Sequence, residues 1–219
     1  MGKFCETDKE WFELLTRVLQ DFVPLNVIAD IAYFFAQTPD HQDSVLNEGN
    51  WQFRQDRTKN VGICGLDGIP PYPGAAAWRA KLIGQGVAPE SVVLIEQQVG
   101  LPFPPSTDCE AVSLVRAAVQ YGWNTIFIIS PPPHQVRVFL STVSAMKREG
   151  ANLKIYNVVG EAVDWNKVVT LSQSVPSAPE WKQLASELGK IEIYHERGDL
   201  VSAREALDYL NRREIKEEK

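Results

Sequence analysis

His134 and Arg137 are the residues whose types and spacing point most directly to chemistry. They follow an apolar run of strand length, residues 126–130, and a turn built from three prolines, residues 131–133. If a helix begins near His134, side chains three positions apart lie on one face of its first turn, above the end of the strand. Open parallel sheets bind their ligands at that edge. The segment therefore predicts a ligand site.

The chemistry expected of this pair is proton transfer beside an anion. A histidine can serve as a general acid or base near neutral pH, and an arginine fork can hold a carboxylate or a phosphate. We therefore predict that His134 is catalytic and that Arg137 binds the ligand. The structural alternative is that Arg137 forms an ion pair with a neighbouring acid such as Glu110.

Further polar residues stand near the predicted ends of the other strands. We predict that Glu110 is catalytic together with His134, and that the others bind ligand: Gln37 and Asp43 after the first strand, Asp67 after the second, Glu96 after the third, Thr107 at the start of the next helix, and Ser130 at the end of the fourth strand. Structural alternatives remain open for several of them. Thr107 and Glu110 fit a capping box, Asp43 suits a helix N-cap, and Asp67 suits a loop.

The elements that must position these residues follow from hydrophobic periodicity. Strand-like and helix-like segments alternate about five times between residues 27 and 160, with strands predicted at 27–36, 61–65, 91–96, 125–130 and 152–158. This alternation predicts a doubly wound, mainly parallel five-stranded sheet with helices on both faces. An N-terminal helix lies within residues 1–24. Two helices over 177–213 form a C-terminal extension, the second capped by Asp199, and the whole chain is predicted to be one domain.

Composition excludes several classes of function. A net charge of −6 argues against binding to a nucleic-acid backbone. Three scattered cysteines fit a reduced, cytoplasmic protein, and no segment is long and apolar enough for a membrane span. No metal-binding motif is present, so no metal site is expected. His41 and His195 are predicted to be surface residues.

Several short segments, taken in order, resemble the YdcF/SanA-like family of bacterial proteins. The matching segments are residues 43–46, a Gly-rich end of the second strand, residues 77–83 before Gly86, Glu96, residues 106–111 for an Asn-Thr-x-Glu element, and residues 134–137 for a His-x-x-Arg element. The resemblance covers about residues 27–160. Departures are Ser106 where the family often has Asn, prolines 131–133 in place of an ordinary loop, and residues 65–68 in place of Ser-Gly-Gly.

The resemblance implies a Rossmann-like fold with a polar, acidic pocket. It suggests a nucleotide-type ligand such as S-adenosylmethionine, whereas the envelope role of membrane-anchored members does not carry over. Two hypotheses follow. The first is an enzyme that acts on a phosphorylated or adenosyl compound. The second is a non-catalytic ligand-binding or regulatory module that uses its C-terminal helices for partner contact, with oligomerisation through the terminal helices as a further possibility.

Overall fold

Five parallel strands form the centre of the computed structural model, which describes residues 6–68, 71–97, 106–170 and 177–215. The strands are β1 (Ile31–Phe34), β2 (Val61–Cys64), β3 (Val92–Ile95), β4 (Thr125–Ser130) and β5 (Lys154–Val159). Their order across the sheet is β3-β2-β1-β4-β5. The chain therefore moves outward from β1 to β3 and then returns to place β4 on the other side of β1.

Helices cover both faces of this sheet. They are α1 (Glu6–Leu19), α2 (Gln42–Arg54), α3 (Ala75–Gly84), α4 (Thr107–Tyr121), α5 (Pro132–Glu149), α6 (Glu180–Glu196) and α7 (Ala203–Ile215). The predicted fold class, a doubly wound parallel sheet with added terminal helices, is confirmed. Among the described residues, no helix combines the length and the apolar character that crossing a membrane requires.

Residues of β1 alternate between the two sides of the core. Ile31 and Tyr33, with Phe35 directly after the strand, pack with α1, α4, α5 and α7, whereas Ala32 and Phe34 pack with α2 and α3. Successive side chains of a strand point to opposite faces, so a strand covered on both faces must be apolar throughout. This requirement explains the unbroken apolar runs from which the strands were predicted.

Helix α5 begins earlier than the sequence pattern predicts. Pro131 is its N-cap, and Pro132 and Pro133 are its first two helical residues, so the prolines form the start of the helix and not a separate turn. Proline suits this position because the first backbone N–H groups of a helix have no partner within it. His134 thus lies in the first turn, and Arg137 follows it on the same face.

The chain after β5 differs from the prediction in two respects. A short antiparallel pair, β6 (Val168–Val169) and β7 (Ala178–Pro179), was not predicted. The cap of α7 is a capping box between Ser202 and Glu205 and not Asp199: the Ser202 Oγ accepts from the Glu205 N–H at 3.2 Å, and a Glu205 carboxylate oxygen accepts from the Ser202 N–H at 2.9 Å. The two C-terminal helices themselves are confirmed.

A buried ion pair attaches both terminal segments to the sheet. The guanidinium of Arg213 donates to both carboxylate oxygens of Asp21, at 2.6 and 2.7 Å, and to the Ile155 carbonyl at 2.7 Å. Asp21 also accepts from the backbone N–H of Asn157 at 2.9 Å. These contacts fasten the end of α7 and the chain after α1 to the start of β5.

Oligomerisation through the terminal helices stays a prediction.

Two helical glycines give a matched test of this packing. A Cβ on Gly49 of α2 would lie 2.0 Å from ring atoms of Phe34, whose side chain is fully buried in β1. Gly49→Ala should therefore lower the free energy of unfolding by about 1–3 kcal/mol in urea denaturation. Gly189→Ala is the control, because a Cβ there meets nothing within 4 Å. It should stabilise α6 by about 0.5–1 kcal/mol. Equal stability of Gly49→Ala and wild type would contradict the described packing of α2 on β1.

Candidate functional site

The crevice at the carboxyl ends of β1 and β4 is the switch point of the sheet. The chain leaves β1 toward β2 on one side and leaves β4 toward β5 on the other, so the two connections diverge. Open α/β sheets bind ligands where connections diverge in this way. Gln37 and Thr38 follow β1, Ser130 ends β4 and His134 follows it; all four side chains are buried. Polar side chains thus line the place where the topology predicts a site.

The side chain of Gln37 bridges this crevice to His134. Its amide nitrogen donates to His134 Nδ1 at 3.0 Å and lies 3.5 Å from the Ser130 hydroxyl oxygen. Since Nδ1 accepts, the imidazole proton is on Nε2, which donates to the Thr107 hydroxyl oxygen at 3.2 Å. Burial, reinforced by the positive charge of Arg137, lowers the pKa of His134 to about 3. The ring is therefore neutral at physiological pH, with both nitrogens engaged.

Arg137 is neutralised by a residue of the C-terminal extension. Its Nε donates to the carboxylate of Glu187 in α6, and its Nη1 donates to the Thr107 hydroxyl oxygen at 2.6 Å. Lys190 donates to the other Glu187 oxygen at 2.7 Å. Burial alone would raise the pKa of Glu187, but the charge of Arg137 holds it at about 2. The structural alternative, an ion pair between Arg137 and an acid, is thus confirmed, but the acid is Glu187 and not Glu110.

Glu110 lies at the same edge but contacts β1 and the residues that follow it. One of its carboxylate oxygens accepts from the Tyr33 hydroxyl and from the Ala36 N–H, both at 2.8 Å. Burial raises the pKa of Glu110 to about 7, although these hydrogen bonds oppose the shift. The capping-box alternative is wrong, because Ser106 is the N-cap of α4 and its hydroxyl oxygen accepts from the Cys109 N–H at 3.3 Å. Glu110 can therefore exchange a proton near neutral pH.

The structure separates three predicted ligand residues from this group. Asp43 lies in the first turn of α2, with its side chain 69% exposed, and pairs with Lys81 at 3.0 Å. Asp67 is exposed after β2, and among the described residues no hydrogen bond or ion pair joins it to the other candidates. Glu96 is exposed beyond β3, with a carboxylate oxygen 2.7 Å from where a Cβ on Gly65 would lie. The group brought together is Gln37, Thr107, Glu110, Ser130, His134 and Arg137.

His41 is part of the buried polar layer and not a surface residue as predicted. Its Nδ1 lies 3.1 Å from the Thr38 hydroxyl, and its Nε2 lies 2.7 Å from a carboxylate oxygen of Glu180. The side chains of His41 and Glu180 are each 1% exposed. The exposed position predicted for His195 is confirmed.

One face of α6 supplies polar groups that sequence reasoning missed. Glu180, Gln183 and Glu187 are all buried, and their spacing of three and four residues places them on one side of the helix. The second carboxylate oxygen of Glu180 and the amide oxygen of Gln183 are buried and have no hydrogen-bond partner among the residues that the structure describes. Buried acceptors normally have a donor, so these two atoms mark a place where donor groups of a ligand are favoured.

The Cys64 thiol and possible metal ligands are the other reactive groups to consider among the residues that the structure describes. Burial raises the pKa of the Cys64 thiol to about 12, so the thiol stays protonated and is a poor nucleophile. Within residues 6–68, 71–97, 106–170 and 177–215, no three His, Cys, Asp or Glu side chains are grouped so that they could hold a metal ion. Among the described residues of this edge, Glu110 has a pKa suited to proton exchange near neutral pH, and Arg137 carries a buried positive charge.

No model of a known protein family matches the chain, and no curated protein matches it either. The resemblance to the YdcF/SanA-like family therefore stays a prediction. The functional conclusion depends on the geometry of the carboxyl edge.

The raised pKa of Glu110 predicts a specific dependence of stability on pH. Between about pH 4.5 and 7, the folded protein keeps a proton on Glu110 that the unfolded chain has lost, so stability falls as the pH rises. Glu110→Gln should remove this loss, on the order of 2 kcal/mol between pH 5 and 8 after allowance for partial exposure. Urea denaturation of both proteins across that range measures it.

The low pKa of His134 has the opposite effect at lower pH, where it makes stability rise as the pH rises. This effect is present in both proteins and cancels when their stabilities are compared. Parallel stability profiles for wild type and Glu110→Gln would show that Glu110 titrates normally.

Proposed function

We propose that this protein binds a small anionic ligand of phosphorylated or nucleotide type in the crevice between β1 and β4, with Arg137 as the partner of the anion. The observation that carries this proposal is the largely buried chain of hydrogen bonds from Gln37 through His134 and Thr107 to Arg137. It links the loop after β1 to α4 and α5 across the switch point of the sheet. Predicted site residues from three separate segments are thus joined in one chain of hydrogen bonds that ends at the Arg137 guanidinium.

The free-energy cost of burying charged groups supports a functional origin for Arg137 and the polar residues bonded to it. Replacing a buried ion pair by apolar residues of similar volume is often neutral or stabilising, so stability alone is a weak reason to keep one. The crevice also holds two groups whose pKa values move in opposite directions, Glu110 upward and His134 downward. Such shifts concentrate at functional sites, because catalysis and binding need groups in uncommon protonation states.

Each residue of the group has a role in the proposal. Arg137 offers a charged fork, and the neutral imidazole of His134 offers a hydrogen bond to a ligand oxygen in place of Thr107. With a pKa of about 3, His134 is poorly suited to general base catalysis, whereas Glu110, at about 7, is well matched to it. Nucleotide-type ligands, S-adenosylmethionine among them, are included because of the resemblance to the YdcF/SanA-like family.

The two buried arginines of the chain give a matched test of ligand binding. Arg137→Lys and Arg213→Lys each keep a charge and lose a guanidinium fork, but Arg213 is bonded to Ile155 at the start of β5, at the opposite edge of the sheet. Titration with inorganic phosphate, adenosine monophosphate and S-adenosylmethionine by calorimetry should show about tenfold or more weaker binding in Arg137→Lys. Arg213→Lys should bind as wild type does. Wild-type affinity in Arg137→Lys for every ligand that binds would refute the proposal.

Glu110→Gln separates an enzyme from a binding module. The amide keeps the shape of the side chain but cannot exchange a proton, so an enzyme should bind ligand and lose turnover of phosphorylated or adenosyl substrates. Product formation at the wild-type rate would remove Glu110 from the mechanism. Binding by the wild type without turnover of any compound in the panel would favour the regulatory module.

A further inference from the structure

Helix α6 covers the proposed anion site. Arg137 is 5% exposed, and the carboxylate bound to its Nε belongs to Glu187, which is 2% exposed. The Glu187 carboxylate therefore occupies the Nε side of the guanidinium, and an external anion binds on that side only if Glu187 leaves it. The ligand and α6 compete for the same charge.

We propose that α6 is a built-in competitor for the ligand: the Glu187 carboxylate occupies the position of the ligand's anionic group, and ligand binding displaces it. This inference rests on the proposed function, since it assumes that Arg137 is the anion partner. It adds a regulated state, in which the site is closed by the protein's own carboxylate, and it restricts the class of ligand.

The contacts of α6 with the sheet edge are of a kind that a ligand can exchange. They are made by Glu180 on His41 and by Glu187 on Arg137, while Ile191 is the only buried apolar residue of the helix among those described. Charged and polar contacts can be replaced by water or ligand groups with little exposure of apolar surface. Releasing this end of α6 therefore costs less than releasing an apolar helix face.

The closed arrangement also leaves hydrogen-bonding capacity unused. One carboxylate oxygen of Glu180 and the amide oxygen of Gln183 are buried, and no residue in the described part of the chain donates to them. An unpaired buried acceptor lowers the stability of the folded protein, and a hydrogen bond from a donor group removes that penalty. A ligand with hydroxyl or amino groups near its anion would donate hydrogen bonds to these acceptors as α6 rearranges. The ligand-bound form would therefore have hydrogen bonds that the closed form lacks.

Glu187 also determines which anion can compete. A tethered group acts at an effective concentration on the order of millimolar, so a free monocarboxylate of equal charge and geometry competes poorly with it. Arg137 and Lys190 both converge on the Glu187 carboxylate, the latter at 2.7 Å. Two cations match a dianion better than a single negative charge. The ligand class is therefore a phosphate monoester dianion rather than a carboxylate.

Glu187→Gln tests this proposal, with Glu149→Gln as the matched control. The amide keeps the size of Glu187 and removes the competing charge, whereas Glu149 is paired to Arg116 on the surface of the protein. Phosphate titrations followed by ³¹P NMR should show about tenfold or more tighter binding to Glu187→Gln and unchanged binding to Glu149→Gln. In wild type, phosphate should raise the melting temperature and acetate at the same concentration should not.

The outcomes separate the two proposals. Phosphate binding that is equal or weaker in Glu187→Gln means that Glu187 orients Arg137, which overturns the competitor and leaves the proposed function standing. An acetate effect equal to that of phosphate overturns the ligand class. No phosphate binding by wild type or by either variant removes the proposed anion site itself.

Hydrogen exchange of wild type keeps the test independent of any variant. Saturating phosphate should speed amide exchange in the first two turns of α6, residues 180–187, if these turns are displaced, whereas the turn that carries Lys190 should stay protected. Bound phosphate with unchanged or slower exchange in residues 180–187 contradicts displacement.

Discussion

The buried charge of Arg137 is the constraint on which the carboxyl edge of the sheet depends. A guanidinium with 5% exposure must be neutralised and hydrogen-bonded, and two elements supply what it needs: Glu187 from α6 and Thr107 from α4. Thr107 in turn accepts from His134, which is joined to Gln37 after β1. One charge thus orders three helices and a loop, and its field helps to keep His134 neutral.

The fold was largely predictable because its determinants are local. Runs of strand length with both faces apolar are typical of strands in a sheet that is covered on both faces, and their alternation with helices indicates the parallel topology. The proximity of His134 and Arg137 followed from helical spacing alone. The start of α5 differs from the prediction because three successive prolines are typical of a turn, whereas proline is also favoured in the first turn of a helix.

The contacts of the site that the sequence does not predict join residues that are far apart in the chain. Glu187 is fifty residues from Arg137 in the sequence, and Glu180 is 139 residues from His41. No local pattern tells on which surface a C-terminal helix docks, so polar residues at positions 180, 183 and 187 resembled an ordinary solvated face. His41 was assigned to the surface for the same reason. Asp43, which follows a strand as Gln37 does, instead faces outward to Lys81, because the helix after β1 turns it away.

Arginine side-chain NMR tests the central claim, anion recognition at Arg137, most directly. In wild-type protein the Nε–H resonances of Arg137 and Arg213 report on two buried guanidinium groups at opposite edges of the sheet. Titration with inorganic phosphate and adenosine monophosphate should shift the Arg137 resonance saturably as Glu187 is replaced, while that of Arg213 stays fixed. An Arg137 resonance unmoved by either anion, or a saturable shift at Arg213 instead, would contradict this account.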